Sequence, residues 1–100
     1  MFGLDDRVRE AVLGVLKKFP AIKEAKIFGS RALGNFRPNS DVDIVLFGQC
    51  EDSVNLRVAA DLDALSTPYQ FDIICYEQIK NDALKDHIDR VGQTLYLKVG

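Results

Sequence analysis

The chain has 100 residues, 47% of them hydrophobic and 28% charged, enough for one compact core and too few for two domains of ordinary size. Its 13 basic and 15 acidic residues are mixed along the chain and leave a formal charge of -2, with no block that would favour general nucleic-acid binding. No apolar run approaches the roughly 20 residues of a membrane-spanning helix, and MFGLDDRVRE lacks the basic and apolar regions of a secretory signal, so a cytoplasmic protein is expected.

Residues 5–19 place Val8, Ala11, Val12, Val15, Leu16 and Phe19 on one helical face, with Asp5 or Asp6 as the cap and Pro20 as the stop. AKIFG reads as a strand that turns sharply at Gly29, and Ser30 opens a brief helical turn, SRAL, ended by Gly34. GNFRPNS is a loop, and DVDIVLF a second strand. Ser53 is the expected cap of a helix over 54–65, where Val54, Val58, Leu62 and Leu65 form a stripe; Thr67 and Pro68 stop it. YQFDIICY is a third strand, apolar on both faces apart from Gln70 and Asp72, which predicts a central place in the sheet. Asn81 caps a last helix built on Leu84, Ile88 and Val91 and stopped at Gly92, and TLYLKV reads as a closing edge strand. With no repeat or linker, residues 1–100 form one α/β domain of mixed α+β character: a small sheet with helices packed against it.

Cys50 and Cys75 stand 25 positions apart, without a Cys-x-x-Cys pair or a nearby histidine, so neither zinc nor a redox motif is indicated. Cys75, inside FDIIC, is read as a small core residue, and Cys50, in a polar loop, as a free thiol. His87, the one histidine, falls beside the apolar stripe of its helix and is read as a partly exposed surface residue. Tyr69, Tyr76 and Tyr96 flank strands and are expected to pack their rings with the hydroxyl toward water.

The chemistry concentrates elsewhere. Asp41 and Asp43 alternate along a strand and so project from one face, roughly 6.5–7 Å apart. Carboxylates so placed suit shared cations, and oxygen donors without histidine or thiolate favour magnesium over zinc. Asp72 is a charge in an apolar strand and needs a partner; it can face the pair if the third strand lies beside the second. Gly29 frees the main chain for a tight turn, and Ser30 offers a hydroxyl and an N–H, which together suggest a phosphate seat. Arg31 and Arg37 could add charge-assisted contacts to a polyphosphate. Alone, Asp-x-Asp is weak; an EF-hand is excluded by Ile44, Val45 and Leu46, and a glycosyltransferase by length.

The arrangement Gly29-Ser30-x-x-x-Gly34, six residues, then Asp41-x-Asp43-Ile44 resembles the signature of the DNA polymerase β-like nucleotidyltransferase superfamily. FDII, and the last helix followed by LY, extend the likeness from Ile27 to Leu97, and in length and layout it is most similar to the minimal nucleotidyltransferases, the MNT group. The resemblance implies a polymerase β-like palm and a transfer of a nucleoside monophosphate, AMP from ATP, to a hydroxyl. It implies that Asp41, Asp43 and Asp72 bind two Mg2+ ions and carry catalysis. Gly29 and Ser30 would hold phosphates, with Arg31, Gly34 and Arg37 around them. Many members of the group have an arginine where Leu33 stands. The same likeness implies a helical HEPN partner, or a second copy of the chain, that completes the site in a toxin–antitoxin pair, its tyrosine the acceptor. A binding module with an idle metal site, and an aminoglycoside-type modifying enzyme, are the competing readings.

Overall fold

The computed structural model describes residues 4–34, 41–50 and 52–99, and of Ser30 and Asp52 the backbone only. The elements run α1 (Asp6–Lys17), β1 (Ile22–Phe28), α2 (Ser30–Leu33), β2 (Val42–Gly48), α3 (Asp52–Asp63), β3 (Phe71–Cys75), α4 (Asp82–Val91) and β4 (Gln93–Leu97), with a 3-10 turn over Tyr76–Gln78.

The caps of α1 and α4 follow the sequence. Asp5 accepts from the Val8 N–H at 2.8 Å and opens α1, while the Asn81 side chain accepts from Ala83 and Leu84 and opens α4. α3 begins at Asp52, before the expected Ser53 cap, and ends at Asp63, before Thr67. The stripe of buried Val58 and Leu62 is as read, because periodicity marks a helix face more sharply than its ends.

The four strands form one mixed sheet in the order β3-β2-β1-β4. β1 is antiparallel to both β2 and β4, and β2 is parallel to β3, so the β2–β3 connection must cross over through α3. α1 and α3 cover one face, where Val12, Leu16, Ile27, Ile44, Leu46, Val58 and Leu62 are buried in a common core. α4 covers the other, where Ile88 packs on Phe28 and Val45, and Leu84 flanks them.

β3 lies at the edge of the sheet, contrary to its expected central place. The reason is that apolar residues on both faces report cover by helices above and below, not a hydrogen-bonded neighbour on each side. Phe71 and Ile73 pack with α1 and α3, whereas Ile74 packs on the α4 side.

Cys50 also departs from its expectation. It is 1% exposed and bonded to Cys75, itself 4% exposed, with the Cα atoms 5.7 Å apart. A polar sequence context does not expose a residue: parallel pairing sets Leu46 opposite Cys75, and Gly48, at a positive φ of 119°, lets the chain leaving β2 bend back over the core.

Candidate active site

The site is assembled where β1 ends and β2 and β3 begin. In β2 the side chains of Val42, Ile44 and Leu46 enter the α1/α3 core, so Asp43, Val45 and Phe47 take the opposite face. The same alternation in β3 puts Asp72 and Ile74 on that face. The parallel register then pairs Asp43 with Asp72 directly, which meets the condition that the third strand lie beside the second. The Val42 N–H donates to the Gln70 carbonyl at 2.8 Å, tying the mouths of the two strands together. Asp41 stands exposed one residue before β2, with the same parity as Asp43.

β1 brings the third component. Phe28 pairs with Asp43 across the antiparallel ladder, and Gly29 follows it at φ 74°. A Cβ on Gly29 would lie 2.5 Å from Oδ2 of Asp43. The left-handed backbone favours glycine here, and any added Cβ would also displace the Asp43 carboxylate. α2 begins immediately afterwards with Ser30, and Gly34 ends it at φ 82°. The Gln93 side chain donates to the Ala32 carbonyl at 2.7 Å, so β4 anchors this short helix.

The electrostatics follow from this crowding. Burial pushes the Asp43 carboxyl above its ordinary value, and the charges of Asp72 and Asp41 push it further, while Arg31, and His87 in its protonated form, act in the opposite direction. Arg31 is only 2% exposed, and its guanidinium lies 5.1 Å from the centre of the Tyr69 ring. It thus stands near Asp43 as a buried charge. Arg37 lies outside the described residues.

His87 is part of this neighbourhood. It is partly exposed, as read from its helix position, yet its Nε2 accepts the Gly29 N–H at 3.3 Å and its ring meets Phe28 edge-on at 6.3 Å. Helical periodicity tells which face is buried and not which backbone lies across it. The available signal was that Ile88, its neighbour, is a core anchor, so residue 87 must border whatever that anchor touches.

Among the described residues, no three acidic, histidine or cysteine side chains are gathered as a metal-holding group. Magnesium does not require such a cage, because it binds through one or two carboxylates together with water and substrate phosphates. Asp43 beside Asp72 offers that partial set, and the like charge that raises the Asp43 carboxyl is what a cation would relieve. Two grooves of about 480 Å³ lie elsewhere, one lined by Ile73, Ile79 and Leu84, the other by Val8, Leu65 and Tyr69. The three aspartates line neither of them, and none of the described helices is long and apolar enough to cross a membrane.

A palm-like mixed sheet with paired carboxylates on adjacent strands and a glycine turn beside them is the layout of a nucleotidyltransferase. The family model described as polymerase beta, nucleotidyltransferase, matches residues 10–99, and the chain belongs to that family. Solved structures with the same fold include a toxin–antitoxin complex with AMP-PNP, at 18% identity and a TM-score of 0.73, over 90% of this chain and 73% of that one. A second is the MntA-HepT toxin–antitoxin, at 15% identity and a TM-score of 0.69, over 94% and 74% of the two chains. A third holds a tri-AMPylated HEPN toxin of Shewanella oneidensis with its MNT antitoxin, at 14% identity and a TM-score of 0.70, over 95% and 74%. Comparison with curated proteins finds no match.

Proposed function

We propose that this chain is a magnesium-dependent adenylyltransferase that transfers AMP from ATP to a hydroxyl of a HEPN-type helical partner, acting as the antitoxin of the pair in the cytoplasm. The observation that carries the reading is the direct pairing of Asp43 with Asp72 beside the Gly29 turn. The similar structures, which combine an MNT protein, a HEPN toxin and AMPylation, support that partner and that nucleotide.

In this reading Asp41, Asp43 and Asp72 hold the magnesium, two ions in all. Bound magnesium supplies neutralisation of the triphosphate and of the charge that develops during transfer. Gly29 and Ser30 seat the β- and γ-phosphates, with Arg31, Gly34 and Arg37 arranged around them. Asp72 faces the acceptor and receives the hydroxyl proton. The acceptor oxygen then bonds to the α-phosphorus as the bond from that phosphorus to the bridging oxygen breaks, and pyrophosphate leaves. Positioning and charge supply the rate. The partner provides the second wall of the acceptor site, which fits a protein hydroxyl better than a small acceptor.

Incubation with labelled ATP and magnesium, with and without a HEPN-type helical protein, tests the proposal. Label is expected on the partner with the wild-type chain and not with Asp43→Ala. Partner binding without label under any condition would instead leave a binding module.

A further inference from the structure

We infer that His87 is a positioning residue of the nucleotidyl-transfer site, holding the glycine turn in the place that the Asp43 carboxylate requires. The inference deepens the proposed function and rests on it for its kinetic consequences only.

Gly29 is held from two sides. Its N–H is taken by Nε2 of His87 at 3.3 Å, and its Cα faces the Asp43 carboxylate so closely that a Cβ would sit 2.5 Å from Oδ2. The glycine is therefore a spacer between an imidazole on α4 and a carboxylate on β2. Its own backbone, at φ 74°, belongs to a region with shallow preferences for glycine, so the turn needs an external hold to keep one geometry. His87 is suited to give it. Ile88, fully buried, locks this point of α4 onto Phe28 and Val45, and the edge-on contact with the Phe28 ring orients the imidazole.

The hydrogen bond has a chemical consequence. Nε2 can accept only when it carries no proton, so the neutral ring keeps its hydrogen on Nδ1. It also commits the Gly29 N–H to the protein. Gly29 then contributes to the phosphate seat by the turn it makes and by the room it leaves to Asp43, rather than through its own N–H. A shift of this turn moves the carboxylate, and a displacement of that kind at a reacting centre costs rate more than affinity.

Two substitutions separate positioning from packing. His87→Phe keeps an aromatic ring against Phe28 and removes the acceptor; His87→Gln restores an acceptor at similar reach and removes the ring. Expected for His87→Phe is a fall in kcat of about tenfold with KM for ATP within about twofold, at a thermal midpoint close to the wild type. His87→Gln should recover kcat to within about threefold. Wild-type kcat in His87→Phe, or equal losses in both variants at wild-type stability, would overturn the inference. A direct readout does not depend on activity: nitrogen-detected NMR of the metal-free chain should show an unprotonated Nε2, and the Gly29 amide should shift in His87→Phe and return in His87→Gln. An Nε2 that carries the proton refutes the inference itself. Intact NMR signatures with no nucleotide transfer by the wild type would refute the proposed function alone.

Discussion

Asp43 and Asp72 are register partners on the parallel strands β2 and β3, on the same face of the sheet. Like charges set directly opposite one another destabilise a sheet, and Asp41 adds a third at the strand mouth. A fold that keeps this arrangement carries a local cost whose relief comes from a cation or a ligand.

The first prediction concerns stability without metal. The Asp43 carboxyl is raised above its ordinary 3.8 in the folded chain, so the native state resists its ionisation. The penalty is present at pH values above the folded pKa and absent below the ordinary value of 3.8. With chelator present, Asp43→Asn should therefore stabilise the chain at pH 7 by a few tenths of a kcal/mol, the scale of a cross-strand charge pair screened by solvent. The gain should vanish as the pH falls below the carboxylate range. Chemical denaturation of both proteins at pH 7 and pH 3 checks the sign.

Magnesium should reverse that order. A cation bound by the native state stabilises by about 1.4 kcal/mol at ten times its dissociation constant, and Asp43→Asn should lose this response. Thermal melts with magnesium, with and without a non-hydrolysable ATP analogue, measure it. A response equal in both proteins would remove Asp43 from the ligand set.

Gly29→Ala should be more damaging than its size suggests. A non-glycine residue at this positive φ costs on the order of 1–2 kcal/mol, and its methyl group would collide with the Asp43 carboxylate. Gly14, in α1, has open space around the same added methyl, so Gly14→Ala is the control and should be neutral or stabilising. Melting temperature and transfer rate for the two variants should diverge.

The Cys50–Cys75 bond spans 25 positions, and closing a loop of that size removes about 3.5 kcal/mol worth of unfolded-state entropy in the chain-entropy account. Reduction should lower stability on that scale, and Cys50→Ala/Cys75→Ala should match the reduced protein. An unchanged melt under reductant would show that the thiols are not joined in solution.

The carboxylate pair and glycine turn of the candidate site were legible in the sequence because these residues obey short-range rules. Alternation places Asp41 and Asp43 on one face, an isolated charge in FDII demands a partner, and a glycine at a strand end marks a turn. The elements and their order were also readable from stripes and caps. What escaped was set by relations across the sheet. The edge position of β3 depends on which strands pair, and helices on both faces give it the composition of a central strand. The burial of Cys50 depends on where the chain goes after Gly48, and the contact of His87 with Gly29 joins residues 58 positions apart. No window of neighbouring residues contains these facts.

The strand order also governs when the molecule can mature on the ribosome. β1 lies between β2 and β4, and β4 is drawn from Gln93–Leu97. Synthesis must therefore run past Leu97 before β1 has both neighbours. The Asp43–Asp72 pair needs its crossover closed, and the Gly29 turn needs α4, which precedes β4 by a single residue. Long-range pairings of this kind pay loop-closure entropy before they return any contact. A nascent chain thus holds its carboxylates apart until β3 has emerged and leaves the Gly29 turn unheld until α4 follows, so the geometry of the candidate site is completed late.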